Sequence, residues 1–255
     1  MALDPEPERS QKAIASTLDF YRDAIGWLAD RHATWGIDTP PGIDSEDREP
    51  AVWKVAGDVI AQATALVDQL EDGYTQQTLP LIRSIHEGSR LVAVLANPEE
   101  DAILRSWLAN KEIKQSELRK AQEREAKRVA AEMREAGIDP GNIENVAELS
   151  RTIYGRLSKG PHHYRQVVDE AVDFEARTMV YGPDPRIHRR VDYLAAVGPI
   201  LQEVLLLVGD ALSFLYGPNS GFYVEQLRPM AKRMEEVVET FDQLYVTGVI
   251  GRPPS

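Results

Sequence analysis

Cysteine is absent from the 255 residues. Disulfides, thiolate metal sites, iron–sulfur ligation and cysteine nucleophiles are thereby excluded at once, which fits a reducing compartment. There is no Gly-x4-Gly-Lys phosphate loop and no Gly-x-Gly-x-x-Gly turn, so neither common nucleotide cradle is present. No His stands three residues after a Glu, which removes the pair that di-iron bundles use. His86-Glu87 begins like a zinc-protease motif, but Arg90 occupies the place of the second His. A Gly-x-Ser-x-Gly elbow is also missing. No metal and no cofactor is expected from these residues. Repeats of period 20 to 50 are not visible either.

The N-terminal stretch MALDPEPERS has neither the basic nor the apolar region of a secretion signal, so a cytoplasmic protein is expected. The most apolar stretch, 193–216, could span a bilayer by length. It carries Pro199, Gln202, Glu203 and Asp210, and charges at mid-span are costly, so it reads as a buried core helix with no membrane contact.

Hydrophobic residues make up 43% of the chain and charged residues 27%, the balance of a chain that folds. The length exceeds the usual single-domain prior of roughly 150 residues, yet an all-helical domain can reach it around one elongated core. The net charge of −12 argues against general nucleic-acid affinity. Charge is uneven, however. Residues 1–50 hold eleven acids against five bases, whereas 149–168 hold Arg151, Arg156, Lys159 and Arg165 with no acid.

Apolar residues three and four apart dominate, which predicts an all-α bundle of six or seven helices in one domain spanning 1–255. The first helix runs from about 10 to 34 with Ile14, Leu18, Tyr21, Ile25 and Leu28 on its apolar face. The second carries Val52, Val55, Val59, Ala63, Leu66 and Leu70, and Gly73 stops it. The third begins near Thr78, whose hydroxyl is placed to cap it, with Pro80 in the first turn and Asn97-Pro98 as the break.

A long charged helix is expected over 98–136, with nine acids and nine bases in thirty-nine residues. It reads either as a solvated arm across the bundle or as a surface through which 113–133 contacts a protein partner or a second copy. A fifth helix is expected to end near Gly160-Pro161, followed by a short one over 165–172. Two last helices, about 186–216 and 222–245, close the core, and 178–181 is the one candidate for a strand.

Two polar constellations stand out. Arg83, His86, Glu87 and Arg90 share one side of the third helix, as a solvated edge or, if they face the bundle, with Glu87 paired to Arg83 or Arg156. The second is Tyr154-Gly-Arg-Leu-Ser-Lys-Gly-Pro-His-His163. There His162 sits past a helix C-terminus among bases, either capping carbonyls or acting on an anion. Ser158, Lys159 and His163 would line the same anion or RNA site, near 151–165.

Arg83-Ser-Ile-His-Glu87 together with Tyr154-x-x-Leu-Ser-x-x-x-His162 resembles an uncharacterised bacterial family of helical proteins, over roughly residues 50–215. That family is of unknown function; the expectation for this chain is a binding or accessory protein, in a bacterial stress or defence system, that uses its charged helix or bundle surface to contact partners or a second copy. The spacing Arg156-x5-His162 is also similar to the signature of HEPN-type ribonucleases. It implies a dimer in which Arg156 and His162 are catalytic and cleave RNA without metal. The chain departs from that signature at Leu157 and at Gly160-Pro161.

Overall fold

The computed structural model describes residues 7–38, 47–135, 137, 172–173, 177–180 and 182–216, with Arg233 and Glu236. The first described element is helix α1 (Pro7–Asp38). Its predicted face is buried throughout, with Ile14, Leu18, Tyr21, Ile25 and Leu28 all at 4% exposure or less. Helix α2 (Arg48–Glu71) buries Val52, Val55, Val59, Ala63, Leu66 and Leu70, the six positions that periodicity assigns to its core side. It ends at Gly73, in the left-handed region at φ 87°. The Tyr74 N–H donates to the Gln69 carbonyl at 2.9 Å and the Gly73 N–H to the Leu70 carbonyl at 3.1 Å, closing a Schellman cap.

Helix α3 (Leu79–Ala96) starts after Thr78 as expected, but not by the expected device. The Thr78 hydroxyl donates to the Thr75 carbonyl at 2.5 Å and does not cap α3, because a short 3₁₀ turn (Gln76–Thr78) precedes the helix and leaves that carbonyl within reach. At the other end Arg48 donates to the Leu95 and Asn97 carbonyls at 2.5 and 2.6 Å and pairs with Asp101. One guanidinium thus caps α3 and ties it to the next helix.

The charged stretch forms two helices rather than one: α4 (Asp101–Leu108) and α5 (Gln115–Glu135). Asn110 causes the break, at φ 52°. The Lys111 and Asn110 N–H groups donate back to the Ser106 and Trp107 carbonyls, each at 2.9 Å, so Asn takes the position usually held by Gly. Glu117 then reaches back to the Lys114 N–H at 2.8 Å and starts α5. Helix α5 folds onto the bundle through Leu118 and Ala121 against Val94, reinforced by Arg124–Glu100 and by the Asn97 amide donating to Glu125.

Further along, β1 (Val172–Asp173) pairs antiparallel with β2 (Thr178–Met179), a ladder too short to alter the all-α class. Val172 belongs to that ladder, so the helix expected over 165–172 does not reach its predicted end. Arg177, in the left-handed region at φ 52°, bends the chain between the strands.

Helix α6 (Ile187–Glu203), a π-helical turn (Val204–Val208) and α7 (Gly209–Tyr216) follow without interruption. Val191, Leu194, Val197, Ile200, Leu201, Val204, Leu205, Val208 and Leu212 are all buried along this segment and form its stripe toward the core. By length and composition Ile187–Leu212 could cross a membrane, and this stripe of it lies in the core against α1–α3. Tyr21 of α1 donates its hydroxyl to the Leu194 carbonyl at 2.9 Å. Burial holds that phenol well above its ordinary pKa.

Where α1 meets α2, His32 stacks on Trp53 at 4.6 Å between ring centroids, and its Nε2–H donates to the Trp53 carbonyl at 2.9 Å. Gly57 makes the space: a Cβ there would lie 3.0 Å from the imidazole. Burial pushes the His32 imidazole below its usual 6.5, against the smaller opposing effect of the Trp53 carbonyl. A His held below its unfolded pKa contributes stability that is complete above about pH 6.5 and is lost as the pH falls through the lowered value. Urea unfolding from about pH 7.5 to 5.5 is therefore expected to show a steeper loss of stability in the wild type than in His32→Gln. Parallel profiles would contradict this assignment.

Candidate functional site

Helix α3 carries polar residues at 83, 86, 87 and 90, and the bundle divides them. His86 and Arg90, one turn apart, point inward and are 1% and 6% exposed at the side chain. The last residue of α6, Glu203, meets both. His86 Nδ1 lies 2.5 Å from Glu203 Oε2, and Arg90 Nε donates to Glu203 Oε1 at 3.2 Å. An ionised carboxylate only accepts, so the geometry places the imidazole proton on Nδ1. The Nε2 atom of the same ring is buried without a hydrogen-bond partner. Between them, Ser89 donates its hydroxyl to the Ile85 carbonyl at 2.9 Å and is not offered to the site.

The solvated-edge reading of this helix face is overturned for His86 and Arg90, because the phase of α3 against α6 turns them into the core. Arg83 and Glu87 stay half-buried at the margin, paired with each other at 2.8 Å, as the bundle-facing alternative required. Glu203 is the residue that sequence reasoning missed as a site member. Its signal was present: a lone carboxylate among the apolar residues of 195–208 must find a cation if it is buried. Arg156, Ser158, Lys159, His162 and His163 lie outside the described residues.

The opposite flank of α3 borders an open cleft of about 450 Å³. Val55, Leu91, Trp107 and Leu118 give it apolar walls, and Lys54, Asp58 and Glu87 stand at its rim. Helices α2 and α3 line it through Lys54, Val55, Asp58, Ser84, Glu87 and Gly88. A Cβ at Gly88 would lie 2.6 Å from Val59 Cγ2, so only glycine permits this approach. The docking of α5 through Leu118 supplies the far wall. Glu87 thus belongs to the cleft rather than to the buried ionic centre. Among the described residues no group of three or more His, Asp or Glu side chains is placed to hold a metal ion.

Fold and site together define an all-α bundle with a buried Glu–His–Arg centre on one flank of its central helix and an open cleft on the other. Comparison with family models, with curated proteins and with solved structures returns no match for the chain.

The close approach at Gly88 is directly testable. Gly88→Ala is expected to cost about 1–3 kcal/mol of unfolding free energy through overpacking, despite the better helix propensity of Ala. Val59→Ala added to the same chain should recover part of that cost. A Gly88→Ala protein as stable as wild type would show that the helices do not cross this closely.

Proposed function

We propose that the chain is a helical binding protein with an accessory role, and that the cleft between α2, α3, α4 and α5 is where it receives its ligand or a partner's anchoring side chain. One observation carries this reading: an apolar cleft with a charged rim, of a volume within the roughly 300–1,000 Å³ of small-ligand sites. Trp107 offers a flat, half-buried aromatic face, the kind of surface on which anchoring groups gain most of their affinity. The rim carries both signs, with Lys54 and Asp58 one turn apart on α2, so it can orient a polar group at the mouth.

The hydroxyl and carboxylate nearest His86 are already engaged within the protein, which favours recognition over chemistry there. The ribonuclease reading attaches to Arg156 and His162, outside the described residues, and no described side chain adds support to it. A role for 113–133 in contacting a partner is part of the same proposal. Leu118 and Ala121 are covered by the chain's own bundle, so the outer, charged side of α5 and the cleft it completes are what a partner would meet.

A fragment screen followed by amide chemical shifts tests the proposal. Small aromatic and aliphatic fragments at millimolar concentration are expected to perturb Leu91, Trp107 and Leu118 together, and Leu91→Arg should abolish those shifts while the protein stays folded. Fragments that perturb other surfaces, or that shift Leu91→Arg as they do wild type, would remove the cleft from consideration.

A further inference from the structure

The cleft carries two opposite charges that the bundle leaves open. Lys54 and Asp58 stand one turn apart on α2, both exposed and both lining the cleft. Two other pairs with this spacing and order are closed, Arg83–Glu87 at 2.8 Å and Arg119–Glu123 at 3.8 Å. Lys54 and Asp58 are not within ion-pair distance of each other, and among the described residues the Lys54 ammonium has no partner at all. Asp58 accepts from the Gln62 amide through Oδ2 at 2.7 Å, which leaves Oδ1 unengaged among the described residues. Glu87, the third charge at the rim, is already held by Arg83.

We propose that the cleft takes a free α-amino acid with an apolar side chain, an inference that rests on the cleft being the binding site. The ligand's carboxylate pairs with Lys54, its ammonium pairs with Asp58, and its side chain packs among Val55, Leu91, Trp107 and Leu118. Charge decides between this and simpler ligand classes. An apolar acid at Lys54 would sit within one turn, about 5 Å along the axis, of the Asp58 carboxylate. An apolar amine at Asp58 would meet the Lys54 ammonium in the same way. In both cases attraction to one rim charge is offset by repulsion from the other. A zwitterion satisfies both charges at once, and because the rim is exposed neither end has to be taken fully out of water.

Size and lining narrow the class further. A volume of about 450 Å³ lies toward the small end of the roughly 300–1,000 Å³ of ligand sites, which favours a compact molecule over a segment of a partner chain. The Trp107 ring and the three aliphatic walls reward a large side chain, aromatic or branched, over a small one.

Amide chemical shifts of the full chain, titrated with L-phenylalanine and with L-leucine, test the proposal. Both are expected to move Leu91, Trp107 and Leu118 together, whereas glycine at the same concentration moves none of them. N-acetyl-L-phenylalanine keeps only the negative charge and L-phenylalaninamide only the positive one. Each should bind several-fold more weakly than phenylalanine itself. Lys54→Met and Asp58→Asn, both at exposed positions, should each weaken phenylalanine roughly two- to fivefold and leave the uncharged N-acetyl-L-phenylalaninamide unaffected. Lys54→Glu should turn the preference toward the amide. Blocked derivatives that bind as tightly as the free amino acid, or variants that bind phenylalanine as wild type does, would overturn the proposal. Apolar fragments that occupy the cleft while no amino acid does would overturn it as well and leave the cleft as the binding site. A cleft that takes neither would remove both readings.

Discussion

A carboxylate inside a helical bundle has to be neutralised where it stands, and Glu203 is neutralised from a helix more than one hundred residues away in the chain. Transfer of an unpaired carboxylate into a protein interior costs several kcal/mol even after relaxation. That penalty makes the register of α6 against α3 a discrete choice. Displacing α6 by one residue along its axis would rotate Glu203 out of reach of both His86 and Arg90. The buried apolar residues from Val191 to Leu212 would slip with it. Apolar packing supplies most of the free energy in this bundle, and the ionic centre selects which packing is adopted.

Helix α3 is central because it is used on two sides. Its inward side presents His86 and Arg90 to Glu203, and its outward side presents Leu91 and Gly88 to the cleft. The close crossing at Gly88 fixes the distance from α2, while Arg48 binds the last carbonyls of α3 and holds α4 beside it. The cleft therefore rests on the same helix that the buried centre immobilises. A ligand on one flank meets a helix whose position is set on the other.

The helix faces were legible in the sequence because one physical rule governs them. A period near 3.6 in apolar residues puts Ile14 to Leu28 and Val52 to Leu70 on buried stripes, and each stripe is buried. Gly73 was legible for the same kind of reason, since a left-handed residue after an apolar helix is a local signal. The break at Asn110 was not, because no Gly or Pro marks it and the flanking charges are good helix formers. Its left-handed φ becomes worthwhile when α5 turns back and buries Leu118 and Ala121, a tertiary gain that local propensity does not contain. The buried centre was half legible. His86 and Arg90 share a helix face by spacing alone, but whether that face is wet or dry depends on the phase of α6, and the partner Glu203 is a long-range choice. The apolar run around Glu203 held the one clue.

The account stands on the coupling between Arg90 and Glu203, and a double-mutant cycle in unfolding free energy measures it. Glu203→Met leaves the Arg90 charge without its carboxylate and should cost about 3–5 kcal/mol, while Arg90→Met, in which His86 still faces Glu203, should cost somewhat less. The double variant, with two apolar side chains of similar size, should cost far less than their sum and less than either alone. Costs that add to within about 0.5 kcal/mol would show the two groups to be independent and would contradict the claim that this pair sets the register of the bundle.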